Sequence, residues 1–182
     1  MNIIIAGCGK VGRALAEQLS REKHDITVID RKPEAIQQIT NIADVRGVVG
    51  NGASFEIQMD AGIDTADLMI AVTDADEVNL LCCLIAKKAG GCQTIARVRN
   101  PVYHHEIHHI KDELGLSMVI NPEWAAAMEM ARLLRFPSAI DIDTFANGRI
   151  ELLRFQLEEQ NPLCNNKIKD LHMLSRCEVL IC

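Results

Sequence analysis

Aromatic residues are scarce: one tryptophan, one tyrosine and four phenylalanines make up 3% of the 182 residues. The formal net charge is −6, and no basic cluster is interleaved with aromatics. Stacking on bases and neutralisation of phosphates are both disfavoured, so nucleic acid is not an expected partner. No apolar stretch approaches the roughly 18 residues that a membrane helix needs. A soluble protein without direct membrane insertion is expected, and any membrane role has to come through a partner. The apolar run after Met1 enters a glycine turn within a few residues, which makes it a strand rather than a secretory signal. The seven cysteines (Cys8, Cys82, Cys83, Cys92, Cys164, Cys177 and Cys182) form no CxxC pair and read as buried cytosolic thiols. GxxxxGK[ST] is absent, which disfavours a P-loop ATPase. The residue four after Tyr103 is Ile107 and not lysine, so the Tyr/Lys pair of short-chain dehydrogenases is missing.

What is present begins at the first residues. Asn2 to Ala6 reads as a short buried strand, followed by Gly7-Cys8-Gly9-Lys10-Val11-Gly12 and a helix over Arg13 to Arg21. A second strand, Asp25 to Ile29, ends in Asp30. In such a GxGxxG the first glycine makes the tight turn. The second lets a pyrophosphate approach the backbone, and the third lets the helix pack on the strand. The helix start offers N–H groups and a positive dipole end to phosphates. Asp30 accepts hydrogen bonds from a ribose 2′-hydroxyl and repels a 2′-phosphate. Strand, turn, helix, second strand and acid in this order predict a dinucleotide-type site.

Strand-like and helix-like segments then alternate: a helix over Pro33 to Thr40, strand Val45 to Val49, a loop Gly50-Asn51-Gly52-Ala53-Ser54, and a helix over Phe55 to Gly62. Strand Asp67 to Val72 runs into Thr73-Asp74-Ala75-Asp76-Glu77, and a helix covers Val78 to Ala89. Strand Thr94 to Val98, helix Pro101 to Leu114, strand Ser117 to Ile120 and helix Glu123 to Phe136 complete the rhythm. This predicts an α/β, Rossmann-like, doubly wound parallel sheet with helices on both faces, over residues 1–136. From 137 to 182 the pattern turns to β. Ile140 to Phe145 and Ile150 to Leu157 flank an Asn147-Gly148 hairpin signal. A helix over Asn165 to Leu171 and a strand from Glu178 are expected next, as a partial second α+β domain of a longer protein.

In a doubly wound sheet the ligand lies beyond the carboxyl ends of the strands. Gly7 to Gly12, Asp30, Gly50 to Ser54, Thr73-Asp74 and Arg97 to Arg99 come from five strand ends and converge there. Thr73 offers a hydroxyl. One of Arg97 and Arg99 is expected to point inward and bind a phosphate in a fork, the alternative for each being a surface salt bridge. Asp74, Asp76 and Glu77 either cap and complement the next helix or bind a cation near phosphates. His104 with His108, and His105 with His109, are four apart. Each is a possible metal pair or part of a solvated face, and no third ligand is placed nearby. Cys8 either borders the ligand or is a small filler. The Met128 and Met130 helix, with Trp124, Ala127, Met128, Ala131 and Leu134 on one face, is either core or a dimer interface.

The blocks Asn2 to Gly12, Gly50 to Ser54, Ala61 to Asp67, Ala71 to Asn79 and Ala96 to Pro101 together resemble the KTN, or RCK N-terminal, domains of potassium transport regulators. The resemblance spans Met1 to about Phe136, and residues from about Ser138 resemble the start of an RCK C-terminal domain. It implies a cytoplasmic homo-oligomer, a dimer or higher ring. This ring would lie peripherally on the inner membrane face, docked on a membrane potassium-translocating subunit of the Trk/Ktr type and gating it as nucleotide binding changes its shape. NAD or NADH, or alternatively ATP or ADP, are the implied ligands. Carried over by position, Gly7, Gly9, Lys10, Val11 and Gly12 hold phosphates, with Cys8 in the same turn. Asp30 holds a ribose with Arg31 beside it. Asn51, Gly52, Thr73 and Asp74 line the pocket, and Arg97 or Arg99 reaches a terminal phosphate. Many members carry Gly-Asp where this chain has Gly50-Asn51, one charge fewer. The competing expectation is an NAD-dependent oxidoreductase, which needs an acid–base residue beside the nicotinamide and a substrate domain.

Overall fold

A computed structural model describes residues 1–146, 149–161, 163–164 and 166–168, with only the backbone of His104, His105, His108 and Ile110. Asn147-Gly148, most of the helix expected over 165–171, the strand expected from Glu178, and Cys177 and Cys182 lie outside the described residues. Packing divides the chain into two units, Met1–Ala125 and Ala126–Cys182. The division falls inside the helix Pro122–Arg135.

The first unit is a six-stranded, all-parallel sheet in the order β3-β2-β1-β4-β5-β6. Its strands are β1 (Asn2–Ala6), β2 (Asp25–Asp30), β3 (Arg46–Val49), β4 (Leu68–Ala71), β5 (Gln93–Arg97) and β6 (Met118–Ile120). The helices are α1 (Lys10–Arg21), α2 (Pro33–Ile42), α3 (Phe55–Asp60), α4 (Asp76–Ala89), α5 (Pro101–Ile110) and α6 (Pro122–Arg135). The doubly wound, Rossmann-like class expected from the βα rhythm is the class that forms.

β1 shows why. Its Ile-Ile-Ile-Ala run is β-branched and apolar without alternation, as a strand covered on both faces must be. Ile3 and Ile5 enter one core with Ala16 of α1 and Ile36 and Ile39 of α2. Ile4 and Ala6 enter the other, with Cys82, Cys83 and Ala86 of α4 and Ile107 of α5. Ile5 pairs with Val28 on one side and Ile70 on the other. Each fully buried isoleucine contributes roughly 1.5–3 kcal/mol of transfer free energy. Because the chain winds outward from β1 in one direction and from β4 in the other, a crevice opens between their carboxyl ends.

Two boundaries differ from the sequence expectation in ways that matter. α1 starts at Lys10, so the last three residues of the glycine motif are already helical. α4 starts at Asp76, so Asp76 and Glu77 lie in its first turn while Asp74 precedes it. α6 buries none of its residues, and Trp124 and Leu134 are 60% and 80% exposed. Its apolar stripe is therefore not core within the described chain. In the second unit β7 (Ala139–Phe145) and β8 (Ile150–Phe155) form an antiparallel pair with an irregularity between Ala139 and Asp141. Among the described residues no helix is long and apolar enough to cross a membrane.

Candidate functional site

Each glycine of the first turn meets a different constraint. Gly7 has φ of 102°, and a Cβ there would lie 2.8 Å from the Thr73 nitrogen. Backbone conformation and the close passage of the β4 end both demand glycine. At Gly12 a Cβ would sit 1.8 Å from the Gly7 carbonyl oxygen, so α1 presses directly on the turn. At Gly9 a Cβ would meet nothing within 4 Å. The protein's own packing leaves that position open.

Gly9 is also the N-cap of α1, in extended conformation and with no capping side chain. The first turn of α1 carries no acidic residue. The opening N–H groups of a helix have no intrahelical acceptor, and here nothing acidic from the helix itself offsets them. The residues present therefore fit an anionic group at this helix start.

Asp30 stands beside the turn. Its Oδ2 accepts from the Cys8 N–H at 2.7 Å and its Oδ1 from the Lys32 N–H at 2.8 Å. A carboxylate has further lone pairs, so acceptor capacity for a ribose hydroxyl persists alongside these bonds. Cys8 is buried, and its thiol donates to the Ala35 carbonyl at 3.5 Å. Burial pushes that thiol above its ordinary pKa, against the pull of nearby Arg13.

The β3 end joins the same rim. Gly50 N–H donates to Asp30 O at 2.9 Å, and Arg31 Nη2 donates to Asn51 Oδ1 at 2.9 Å. Asn51 Oδ1 also accepts from Ala53 N–H at 3.2 Å. Gly52 is buried, and a Cβ there would be 2.9 Å from the Ala6 Cβ and 3.3 Å from the Cys82 Sγ. Its lack of a side chain serves the contact with the core.

At the β4 end, Thr73 is held by Asn79, which is not among the site residues expected from sequence. Asn79 Oδ1 accepts from both the Thr73 N–H and its hydroxyl, each at 2.7 Å. Asn79 Nδ2 donates to Arg97 O at 2.9 Å and Thr73 O at 3.3 Å. One fully buried amide thus ties the ends of β4 and β5 together. Its signal was present in the sequence: Asn79, Cys82, Cys83 and Ala86 follow the spacing of one helix face, so a polar residue sat on an apolar stripe. Gln58, also fully buried, gave no such signal because α3 has only six residues.

The two arginines are both engaged. Arg97, with a side chain 12% exposed, pairs with Glu123 of α6, and its Nε is buried without a partner among the described residues. Partial burial raises the Glu123 carboxyl pKa. The hydrogen bond from Arg97 and the charges of Arg97 and Arg99 outweigh this and hold it below the usual carboxylate range. Arg99, 42% exposed, donates to the Asp74 carbonyl and lies 3.7 Å from the Asp76 carboxylate. Asp76 itself is buried and accepts from the Arg99 and Asn100 N–H groups at 2.9 and 2.8 Å. Its carboxylate braces the β5–α5 loop, and Ala75 caps α4 without a side-chain bond. Glu77 accepts from the Tyr103 hydroxyl at 2.9 Å. Among the described residues no group of three or more His, Cys, Asp or Glu is placed to hold a metal ion. The side chains of His104, His105 and His108 lie outside them, and His109 is exposed.

Comparison with known proteins gives a consistent picture. The family model described as the TrkA-N domain matches residues 3–122. The chain is 38% identical over 173 residues to a Trk system potassium uptake protein TrkA homolog of Archaeoglobus fulgidus, covering 95% of this chain and 39% of that protein. The chain spans less than half the length of the curated relatives it matches, from 34% to 45%. Among solved structures it resembles the TrkA-N domain of the Escherichia coli inner membrane protein ybaL. That match has a TM-score of 0.65 and 26% identity, covering 73% of this chain and 96% of that one. It shares its fold with the GsuK channel bound to NAD, at a TM-score of 0.57 and 20% identity, covering 65% of this chain and 21% of that one.

Proposed function

The chain belongs to the TrkA-N domain family, and from that membership we propose that it is a nucleotide-binding regulatory module of a potassium uptake system. The observation that carries the ligand reading is the start of α1. It has no capping side chain and no acid in its first turn, its N-cap Gly9 is sterically open, and Asp30 stands beside it. This combination suits a pyrophosphate on the helix start and a ribose at the acid.

In this reading Gly7, Cys8, Gly9, Lys10, Val11 and Gly12 surround the phosphates and Asp30 takes the ribose. Arg31, Asn51, Gly52, Thr73 and Asp74 form the rim. Arg99, the more exposed of the two arginines, takes a terminal phosphate, while Arg97 is already paired with Glu123. The ligand is an adenine nucleotide lacking a 2′-phosphate: NAD or NADH, or alternatively ADP or ATP. The GsuK channel, of the same fold, carries NAD in one structure and ADP in another. The partner is a membrane potassium-translocating subunit, on whose cytoplasmic face a homo-oligomer of this chain docks as a peripheral ring. A nucleotide acts on that ring only through a difference in its affinity for two shapes. The role is regulatory and not catalytic. Calorimetric titration with NADH, NAD, ATP and ADP tests it, repeated on Asp30→Ala. Binding that the substitution abolishes supports the crevice. No binding by the unmodified chain sinks the ligand reading.

A further inference from the structure

We propose that Gln58 is a positioning residue of the crevice, fixing the Gly50–Ser54 loop so that Asn51 stands at the rim; this rests on the nucleotide reading above. Gln58 is 0% exposed, a rare location for an amide. Its Nε2 donates to Gly52 O at 2.7 Å and to Cys82 O of α4 at 3.0 Å. Its Oε1 is buried and has no partner among the described residues.

That imbalance is informative. A methionine of similar volume would fill the same space without an unpaired oxygen, so packing alone does not favour glutamine. What the amide adds is a tie between two main-chain carbonyls, one of them in the rim loop. Its neighbour Ile57 acts on the other side of Asn51. A Cβ on Gly50 would lie 2.7 Å from the Ile57 Cδ1, so that side chain already lies against the loop. Gly52, in turn, sits too close to Ala6 and Cys82 to accept a methyl group. The two glycines flanking Asn51 are thus each gripped by adjacent residues of one short helix, and Asn51 is left exposed between them with its side chain turned to Arg31. Precision at a binding rim comes from such support beneath it.

The test is a double-mutant cycle on the full chain, read by NADH and ADP titration and by amide hydrogen exchange without nucleotide. Gln58→Met is expected to weaken the tighter-bound nucleotide about tenfold. It should speed exchange within 50–54 and leave 7–12 unchanged. In an Asn51→Ala background the affinity loss should vanish, because the group being positioned is gone. A loss of equal size in that background, or unchanged affinity, overturns the inference while the nucleotide reading stands. Failure of the unmodified chain to bind either nucleotide removes the reading itself and the inference with it. If Gln58→Met does not fold, Gln58→Leu removes the same amide donor with a shorter apolar side chain. The same Asn51-dependent loss is expected there, and unaltered binding overturns the inference.

Discussion

The carboxylate of Asp30 accepts a hydrogen bond from the main-chain N–H of Cys8 at 2.7 Å, joining the acid at the end of β2 to the turn at the end of β1. The residue that the sequence marks as a candidate ribose acceptor braces the turn beside it. Asp30→Ala removes the brace together with the proposed ribose contact, whereas Asp30→Asn keeps a carbonyl oxygen to accept from Cys8 and loses the charge. We expect Asp30→Ala to lower stability by about 1–3 kcal/mol in urea unfolding, as loss of charge-assisted bonds does. Asp30→Asn should lose less stability while still weakening nucleotide binding. Equal stability losses in the two would show that the Cys8 bond is not what Asp30 contributes.

Gly9 and Gly12 should separate binding from folding. A methyl on Gly12 collides with the Gly7 carbonyl, so Gly12→Ala is expected to destabilise the domain or displace α1. A Cβ on Gly9 meets nothing within 4 Å among the described residues, so Gly9→Ala should leave the melting temperature nearly unchanged and sharply reduce nucleotide affinity. Calorimetry and thermal melting on the two variants decide this. Undiminished affinity in Gly9→Ala would remove the phosphate from that turn.

Asn79 closes the β4 and β5 ends with both atoms of its amide. Asn79→Ala leaves buried main-chain groups without their partner, and a loss of about 2–4 kcal/mol is expected in equilibrium unfolding. Asn79→Asp retains the acceptor toward Thr73 and loses the donor toward Arg97 O. If the variants differ from the unmodified chain by less than experimental error, the clasp carries no stability.

The Arg97–Glu123 pair has a pH signature. The folded-state pKa of Glu123 is depressed, so its contribution is present above the unfolded carboxylate pKa and is lost as pH falls through the lower folded value. Glu123→Gln should therefore narrow the stability difference between neutral and acid pH. Because Arg99 takes the terminal phosphate in the proposed reading, the same substitution should leave the preference between ATP and ADP unchanged. Thermal melts from neutral to acid pH, with nucleotide titrations at neutral pH, measure both effects.

Burial raises the Cys82 thiol to about 12 and pushes Cys83 up as well, so both are protonated and shielded at neutral pH. Alkylation mapped by mass spectrometry should leave Cys82 and Cys83 unmodified in the native chain and label them in urea. Cys164, half-buried, should react ahead of them. Rapid native labelling of Cys82 would mean that α4 opens readily.

Local sequence determined the order of strands and helices, the turn at Gly7 to Gly12 and the acid at Asp30. These depend on runs and spacings within about 30 residues: β-branched apolar strands, glycines at forced positions and the repeat of one helical face. Asn79 was half legible, as a polar residue on an apolar helix face. Tertiary structure alone decided the rest. Gln58 became a loop support, and Asp76 became a brace for the β5–α5 loop and not a cap. Arg97 and Arg99 were taken up by Glu123 and by Asp74 and Asp76, and Gly52 was spent on packing against Ala6 and Cys82. The physical reason is shared. A buried polar group must find its partner wherever the fold brings one, and no run or repeat in the sequence marks which residue that is: Gln58 reaches Cys82 O only where α3 packs on α4, and Arg97 reaches Glu123 only where the end of β5 meets the start of α6.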